Sequence, residues 1–235
     1  IQSWPPVYKE SSPLNFFLDM LAVLVFVFLS LLSVCCALKL NVPSFSAFGR
    51  VRSSVSKQSP AALNLKNEIR KLSKGTKNGI TASESVRDEI DVKVKQLERL
   101  NPTKSNLNRS DQLNGEWRLV YTTNEGSSAG KLGPFVGDVI QDIDTDTKMY
   151  QNYVNIGPNA LIQGALDATW ENIYNNSWQV NFKQIEFKIL GISLFKKPLS
   201  ATGIWRKTYL DSDFRILYAK GGKNTQKENI YILVK

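Results

Sequence analysis

From Trp117 onward the chain alternates, and this period of two constrains its fold more than any other feature. Trp117, Leu119 and Tyr121 alternate with Arg118, Val120 and Thr122. Side chains on an extended strand point to opposite faces in turn, so such a run reads as a half-buried strand. Further strands are expected over Val136–Ile143 after the Gly133-Pro134 turn, and over Tyr150–Ile156 and Ala160–Trp170 around Gly157-Pro158. Trp178, Val180 and Phe182 keep one parity and Ile185, Phe187 and Ile189 the other, which predicts a bulge near Lys183-Gln184. Gly203–Leu210, Phe214–Ala219 and Asn229–Val234 complete the set, with turns at Asp211-Ser212-Asp213 and Gly221-Gly222. About eight short strands with no intervening helices suit an antiparallel barrel or a sandwich. A barrel of about eight strands has room for its own side chains or for one small ligand.

Two helices are expected ahead of the strands, in a unit spanning 61–102. Leu65, Ile69 and Leu72 recur at helical spacing, and Lys77-Asn78-Gly79 stops that segment. Val86, Ile90, Val94 and Leu97 mark a second stripe with Ser85 as its N-cap, ended by Asn101-Pro102. Both stripes are expected to pack on the domain that follows, at 111–235.

The N-terminal region is different again. Residues 1–37 hold an apolar run, Leu14–Leu32, followed by the small residues of Val34-Cys35-Cys36-Ala37. They read as a signal-peptide-like segment, with a retained membrane anchor as the alternative. Residues 38–60 are rich in Ser, carry Lys39, Arg50, Arg52 and Lys57, and have no acid, which is the composition of a transit peptide. The two in series resemble the bipartite leader of algae with secondary plastids.

Charge and composition exclude several function classes. The net charge is +9, yet residues 38–110 hold 15 bases against 6 acids, whereas 111–235 hold 14 against 13. A nucleic-acid-binding domain would carry the excess on its folded surface. The chain contains no His, and its only cysteines are Cys35 and Cys36. The commonest general base and metal ligand is therefore missing. Asp142, Asp144 and Asp146 lack the Gly of an EF-hand loop and read as a solvated hairpin end. The four glycines between Gly126 and Gly137 lack the Gly-Lys-Ser/Thr ending of a phosphate loop. No catalytic residue, metal site or cofactor is expected.

Several ordered blocks carry a family resemblance over about residues 61–235. They are Leu97-Glu98-Arg99-Leu100-Asn101-Pro102-Thr103, then Leu113-Asn114-Gly115-Glu116-Trp117-Arg118-Leu119-Val120-Tyr121-Thr122-Thr123. Gly133-Pro134-Phe135-Val136-Gly137-Asp138-Val139-Ile140-Gln141 follows, then Gly203-Ile204-Trp205-Arg206-Lys207-Thr208-Tyr209-Leu210-Asp211. Asp213-Phe214-Arg215-Ile216 and Asn229-Ile230-Tyr231-Ile232-Leu233-Val234 close the series. The chain resembles the plastid lipid-associated proteins, also called plastoglobulins or fibrillins. That resemblance implies a lipocalin-like barrel in a plastid, at plastoglobules or thylakoids, holding or coating prenyl quinones, carotenoids or acyl lipids without catalysis. The implied partners are a hydrophobic lipid or pigment and a lipid surface contacted peripherally. The chain departs from many members in its longer, polar Lys220–Glu228 segment, which would alter ligand choice if it borders the barrel mouth.

Two sets of residues become candidates. Trp117 is expected to plug one end of the barrel, with Arg215 laying its guanidinium over the indole. Tyr121, Trp170, Trp178, Phe182, Trp205 and Tyr209 are expected to line an apolar ligand pocket, with core packing as the plainer reading. Gly203-Ile204-Trp205-Arg206 echoes Gly115-Glu116-Trp117-Arg118, with Tyr209 and Tyr121 at equal offsets, through chance or equivalent strand positions. The alternatives to a binding protein are a lipid- or pigment-metabolising enzyme with a buried acid such as Asp138 or Asp211, and a scaffold for a lipid-synthesis enzyme.

Overall fold

A computed structural model describes residues 59–235, apart from 104–106, 109, 175 and 222–223. These residues belong to the compact unit Ser54–Lys235. The segments read above as 1–37 and 38–60 lie outside the described residues, Ser59 and Pro60 excepted.

Two amphipathic helices come first. Helix α1 (Pro60–Ser73) starts where the Ser59 side chain accepts from the Ala62 N–H, with Pro60 at the first helical position. Helix α2 (Glu84–Arg99) is capped by Ser83, not Ser85. Ser83 has the extended backbone a cap requires and accepts from the Val86 N–H, while the Ser85 hydroxyl bonds that of Ser83. A short helix α3 (Ser110–Leu113) leads into the barrel.

The barrel is closed by eight antiparallel strands. In chain order the strands are β1 (Gly115–Thr122), β2 (Lys131–Leu132), β3 (Phe135–Val136), β4 (Asp138–Asp144) and β5 (Met149–Ile156). Then come β6 (Ile162–Tyr174), β7 (Ser177–Ile189), β8 (Ile192–Leu210), β9 (Phe214–Gly221) and β10 (Asn224–Val234). β2 and β3 form a separate hairpin, and the rest run β1-β10-β9-β8-β7-β6-β5-β4, with β4 returning to β1. The closed barrel leaves no free edge strand, and the first half of β8 extends past it, paired with β7 alone.

Bulges decide which way side chains point. The bulge expected at Lys183-Gln184 is present: Asp167 pairs with Gln184 and Ala168 with Phe182, which leaves Lys183 over. Two more were not legible as such. On β1 the register slips between Leu119 and Tyr121, and on β8 between Lys207 and Tyr209. Each extra residue reverses the faces beyond it, so Tyr121 and Tyr209 point out of the barrel.

The packing therefore falls into two clusters. The interior holds Trp117, Leu119, Val139, Ile143, Trp170, Trp178, Val180, Trp205, Leu217 and Leu233. Outside, Ile69, Ile90, Val94 and Leu97 of the two helices pack on Tyr121, Tyr209, Phe214, Ile216 and Ile232. An ion pair pins α1 there. Lys66 Nζ lies 3.0 Å from Asp211 Oδ2 and also meets Asp213, and Arg70 reaches Asp213 at 2.7 Å.

Candidate functional site

One end of the barrel is closed by aromatic and cationic side chains. Trp117 sits inside with no exposed surface, and its indole N–H donates to the Leu113 carbonyl at 2.8 Å. That bond ties the first strand to α3 beneath it. The Arg215 guanidinium carbon lies 5.0 Å from the centre of the Trp117 ring. Lys235 Nζ lies 4.8 Å from the same ring and donates to the carbonyls of Gln112 and Asn114. Arg215 is fully buried, and Nη2 donates to Gln141 Oε1. Its Nε and Nη1 have no hydrogen-bond partner among the described residues. Burial pulls its pKa down to about 9, with the neighbouring Tyr150 hydroxyl opposing.

A second buried cation lies nearby. Lys207 Nζ stands 3.7 Å over the Trp178 ring and donates to Asn108 Oδ1, which also accepts from the Trp178 indole N–H at 3.1 Å. Trp178 stacks on Trp170 with ring centres 3.9 Å apart. Burial, aided by the charge of Arg215, lowers the Lys207 pKa to about 6. Indole faces carry negative potential and offset part of the cost of placing ammonium and guanidinium groups in an apolar interior.

Toward the other end the interior opens into a cavity of about 200 Å³. Tyr150, Trp205, Phe182, Leu166 and Leu217 form its apolar wall, and Trp205 meets Tyr150 edge-on at 4.7 Å. Gln141 and Asn152 supply polar groups near its floor, and Lys220, Gly221 and Asn229 stand at the mouth. Lys220 and Gly221, which open the polar Lys220–Glu228 segment, thus border the mouth. No carboxylate is among the described residues lining the cavity.

Of the six aromatic residues singled out from the sequence, Phe182 and Trp205 line the cavity. Trp170 and Trp178 are inside the barrel, stacked at the closed end away from it. Tyr121 and Tyr209 are not brought to the interior, because the two bulges turn them onto the helical pair. The echo between the two Gly-X-Trp-Arg blocks has a structural meaning. In both strands Trp faces in, an inward residue follows two places on, and a bulge then turns Tyr outward.

The carboxylates considered for chemistry are occupied elsewhere. Asp138 is exposed. Asp211 is buried, but it accepts from the Tyr209 hydroxyl at 2.6 Å and from the backbone N–H groups of Asp213 and Phe214, besides pairing with Lys66. Asp144 accepts from the backbone N–H groups of Asp146 and Thr147, which makes the aspartate run a hairpin turn. The Thr147 hydroxyl first, and then those backbone bonds, lower its pKa.

Three interior polar residues, Gln141, Asn152 and Lys207, carry no role in the sequence reading, and neither does the hydrogen bond that Arg215 donates to Gln141. The three residues carry a signal in retrospect. Gln141 sits between Val139 and Ile143, Asn152 between Tyr150 and Val154, and Lys207 two residues after Trp205. Each is polar at the apolar phase of its strand.

The chain is 33% identical over 160 residues to "Probable plastid-lipid-associated protein 5, chloroplastic" of Arabidopsis thaliana, covering 67% of this chain and 65% of that one. It is 35% identical over 116 residues to "Plastoglobulin-1, chloroplastic" of Pisum sativum, covering 47% and 32%. It is 32% identical over 127 residues to "Light-induced protein, chloroplastic" of Solanum tuberosum, covering 51% and 39%. The chain spans less than two thirds of the length of each of these relatives. No solved structure matches it. All three relatives are named as chloroplastic, and the chain is a plastid protein. The PAP_fibrillin family model matches residues 63–226, which takes in most of α1, all of α2 and the barrel up to the start of β10, and the chain belongs to that family.

Proposed function

We propose that this protein binds an amphiphilic lipid of the plastid through the open end of its barrel, without catalysing a reaction on it, and works at plastoglobule or thylakoid surfaces. The observation that carries the reading is the cavity: about 200 Å³, walled by Tyr150, Phe182, Trp205 and Leu217, with Gln141 and Asn152 near its floor. Pockets that bury a whole drug-sized ligand run to about 300–1,000 Å³. This one accommodates the polar ring or head of a prenyl quinone or acyl lipid, with the tail leaving through the mouth. A complete carotenoid does not fit that volume. The buried Arg215 charge next to Gln141 favours an oxygen-bearing head. Affinity for the rest comes from apolar burial at about 25 cal/mol per Å². Relatives named as lipid-associated proteins and as a plastoglobulin support the same compartment and ligand class.

Lipid mass spectrometry on the protein isolated from plastids tests the reading. A near-stoichiometric lipid with a polar head is expected. Ala219→Phe, which puts a large ring beside Trp205 in the cavity wall, should abolish that lipid while the melting temperature holds. A wild-type protein that carries no lipid above the level of the filled variant would overturn the proposal.

A further inference from the structure

The mouth of the barrel carries an arm. β8 pairs with β9 only from Gly203 onward, so its first half is held by β7 alone. Every residue from Gly191 to Ser200 is exposed. At the tip, Leu190, Ile192 and Leu194 are 58%, 65% and 50% exposed, and Phe195 and Leu199 continue the apolar surface. Leu190 is held at a φ of 52°, in the left-handed region where a bulky residue is disfavoured. The turn thereby presents a leucine where glycine would relieve strain. Contiguous exposed apolar surface of this kind marks an interaction site.

The charge on the arm points to what it meets. Residues 183–199 hold four bases, Lys183, Lys188, Lys196 and Lys197, against the single acid Glu186. Lys188 pairs with Glu186 at 3.2 Å. The rest of 111–235 holds 10 bases and 12 acids, so the barrel's basic excess is concentrated here. The closed end carries the aspartate turn at Asp144 and Asp146. The unpaired edge is poorly suited to receiving another strand. Pro198 lacks an N–H, and Lys196 and Lys197 stand beside it. An apolar tip ringed by lysines instead matches a lipid surface with anionic headgroups. The arm's inward face also leads to the cavity. Ile185, Phe187 and Ile189, with their partners Lys197, Phe195 and Ile192, continue the face on which Leu166 and Phe182 line the cavity wall.

We propose that the β7–β8 arm docks the protein on an anionic lipid surface. Leu190, Ile192 and Leu194 enter the acyl layer, Lys188, Lys196 and Lys197 engage the headgroups, and the barrel mouth faces the surface. This rests on the reading that the cavity takes a lipid, since it gives the bound head a path for its tail into the layer.

The test uses the full chain with Cys35→Ser and Cys36→Ser and one introduced cysteine, Leu190→Cys at the tip or Tyr174→Cys at the opposite end, labelled with nitrobenzoxadiazole. Vesicles of phosphatidylcholine with phosphatidylglycerol are added, and flotation and label emission are read together. The tip label should shift to the blue and be quenched by spin-labelled acyl chains, while the Tyr174 label stays aqueous. Replacing Lys188, Lys196 and Lys197 with Gln should weaken binding about fivefold for each lysine, and not on vesicles of phosphatidylcholine alone. A chain that floats with both labels aqueous is held by another segment and overturns the arm proposal. A chain that does not float overturns it as well. Neither result touches the cavity reading, which stands or falls on co-isolated lipid and the Ala219→Phe variant. Tip insertion with no effect of the lysine changes would overturn the anionic partner.

Discussion

The two ends of this barrel treat charge and apolar surface in opposite ways. At the closed end, Arg215 and Lys207 are buried against Trp117 and Trp178, and apolar side chains surround them. At the mouth, leucines and isoleucines stand in solvent with lysines beside them. Burying a cation without a carboxylate costs stability, as does exposing apolar surface. The closed end recovers part of its cost by cation–π contact inside the fold. The arm offers no internal compensation, so its surface is suited to a partner outside the chain. The difference separates a part of the molecule built for stability from a part built for contact.

The comparison can be broken by stability measurements. Trp117→Ala removes the indole that Arg215 lies over and opens a cavity at the closed end. A loss of about 3–5 kcal/mol is expected by urea unfolding. A loss below about 1 kcal/mol would mean that the indole does not organise this end. Asp211→Ala takes a carboxylate from buried Lys66 and strips the Tyr209 hydroxyl and two backbone N–H groups of an acceptor. About 3 kcal/mol should be lost.

Lys207 provides a pH test. Its pKa falls from 10.5 in the unfolded chain to about 6 in the fold. Between those values the unfolded chain binds the extra proton, so stability rises with pH across that window and flattens below about 6. The slope is at most about 1.4 kcal/mol per pH unit. Lys207→Met should flatten the profile between about pH 6.5 and 9, as followed by urea midpoints. A variant with the wild-type slope would place the titrating group elsewhere. The smallest effect belongs to the arm. Leu190→Ser should change stability by no more than about 0.5 kcal/mol. A larger loss would show that the tip is packed in solution and would remove the contrast between the two ends.

Much of the fold was legible because strand periodicity is a local property. The Trp117-Leu119 and Val180-Phe182 runs, the bulge at Lys183 and the turn at Asp211-Ser212-Asp213 all announce themselves over a few residues. The β8 arm was not legible. Ile192–Leu199 mixes apolar, basic and proline residues without alternation, because it faces solvent on both sides and no core imposes a period on it. The pocket was half legible for a related reason. Alternation identifies residues that share a face only while the register holds, and one extra residue at Val120 or Thr208 sends the next tyrosine outward.

By itself the sequence determined the strand count, the helical pair and the family, since each rests on short patterns and their order. Which tyrosines line the interior was decided by tertiary structure alone, through bulges that appear only when strands pair. The same holds for the burial of Lys207 beside Trp178, 29 residues away in the chain, and for the hold of Lys66 on Asp211 across 145 residues. Periodicity reports which way one strand faces. Closing the barrel decides what it faces.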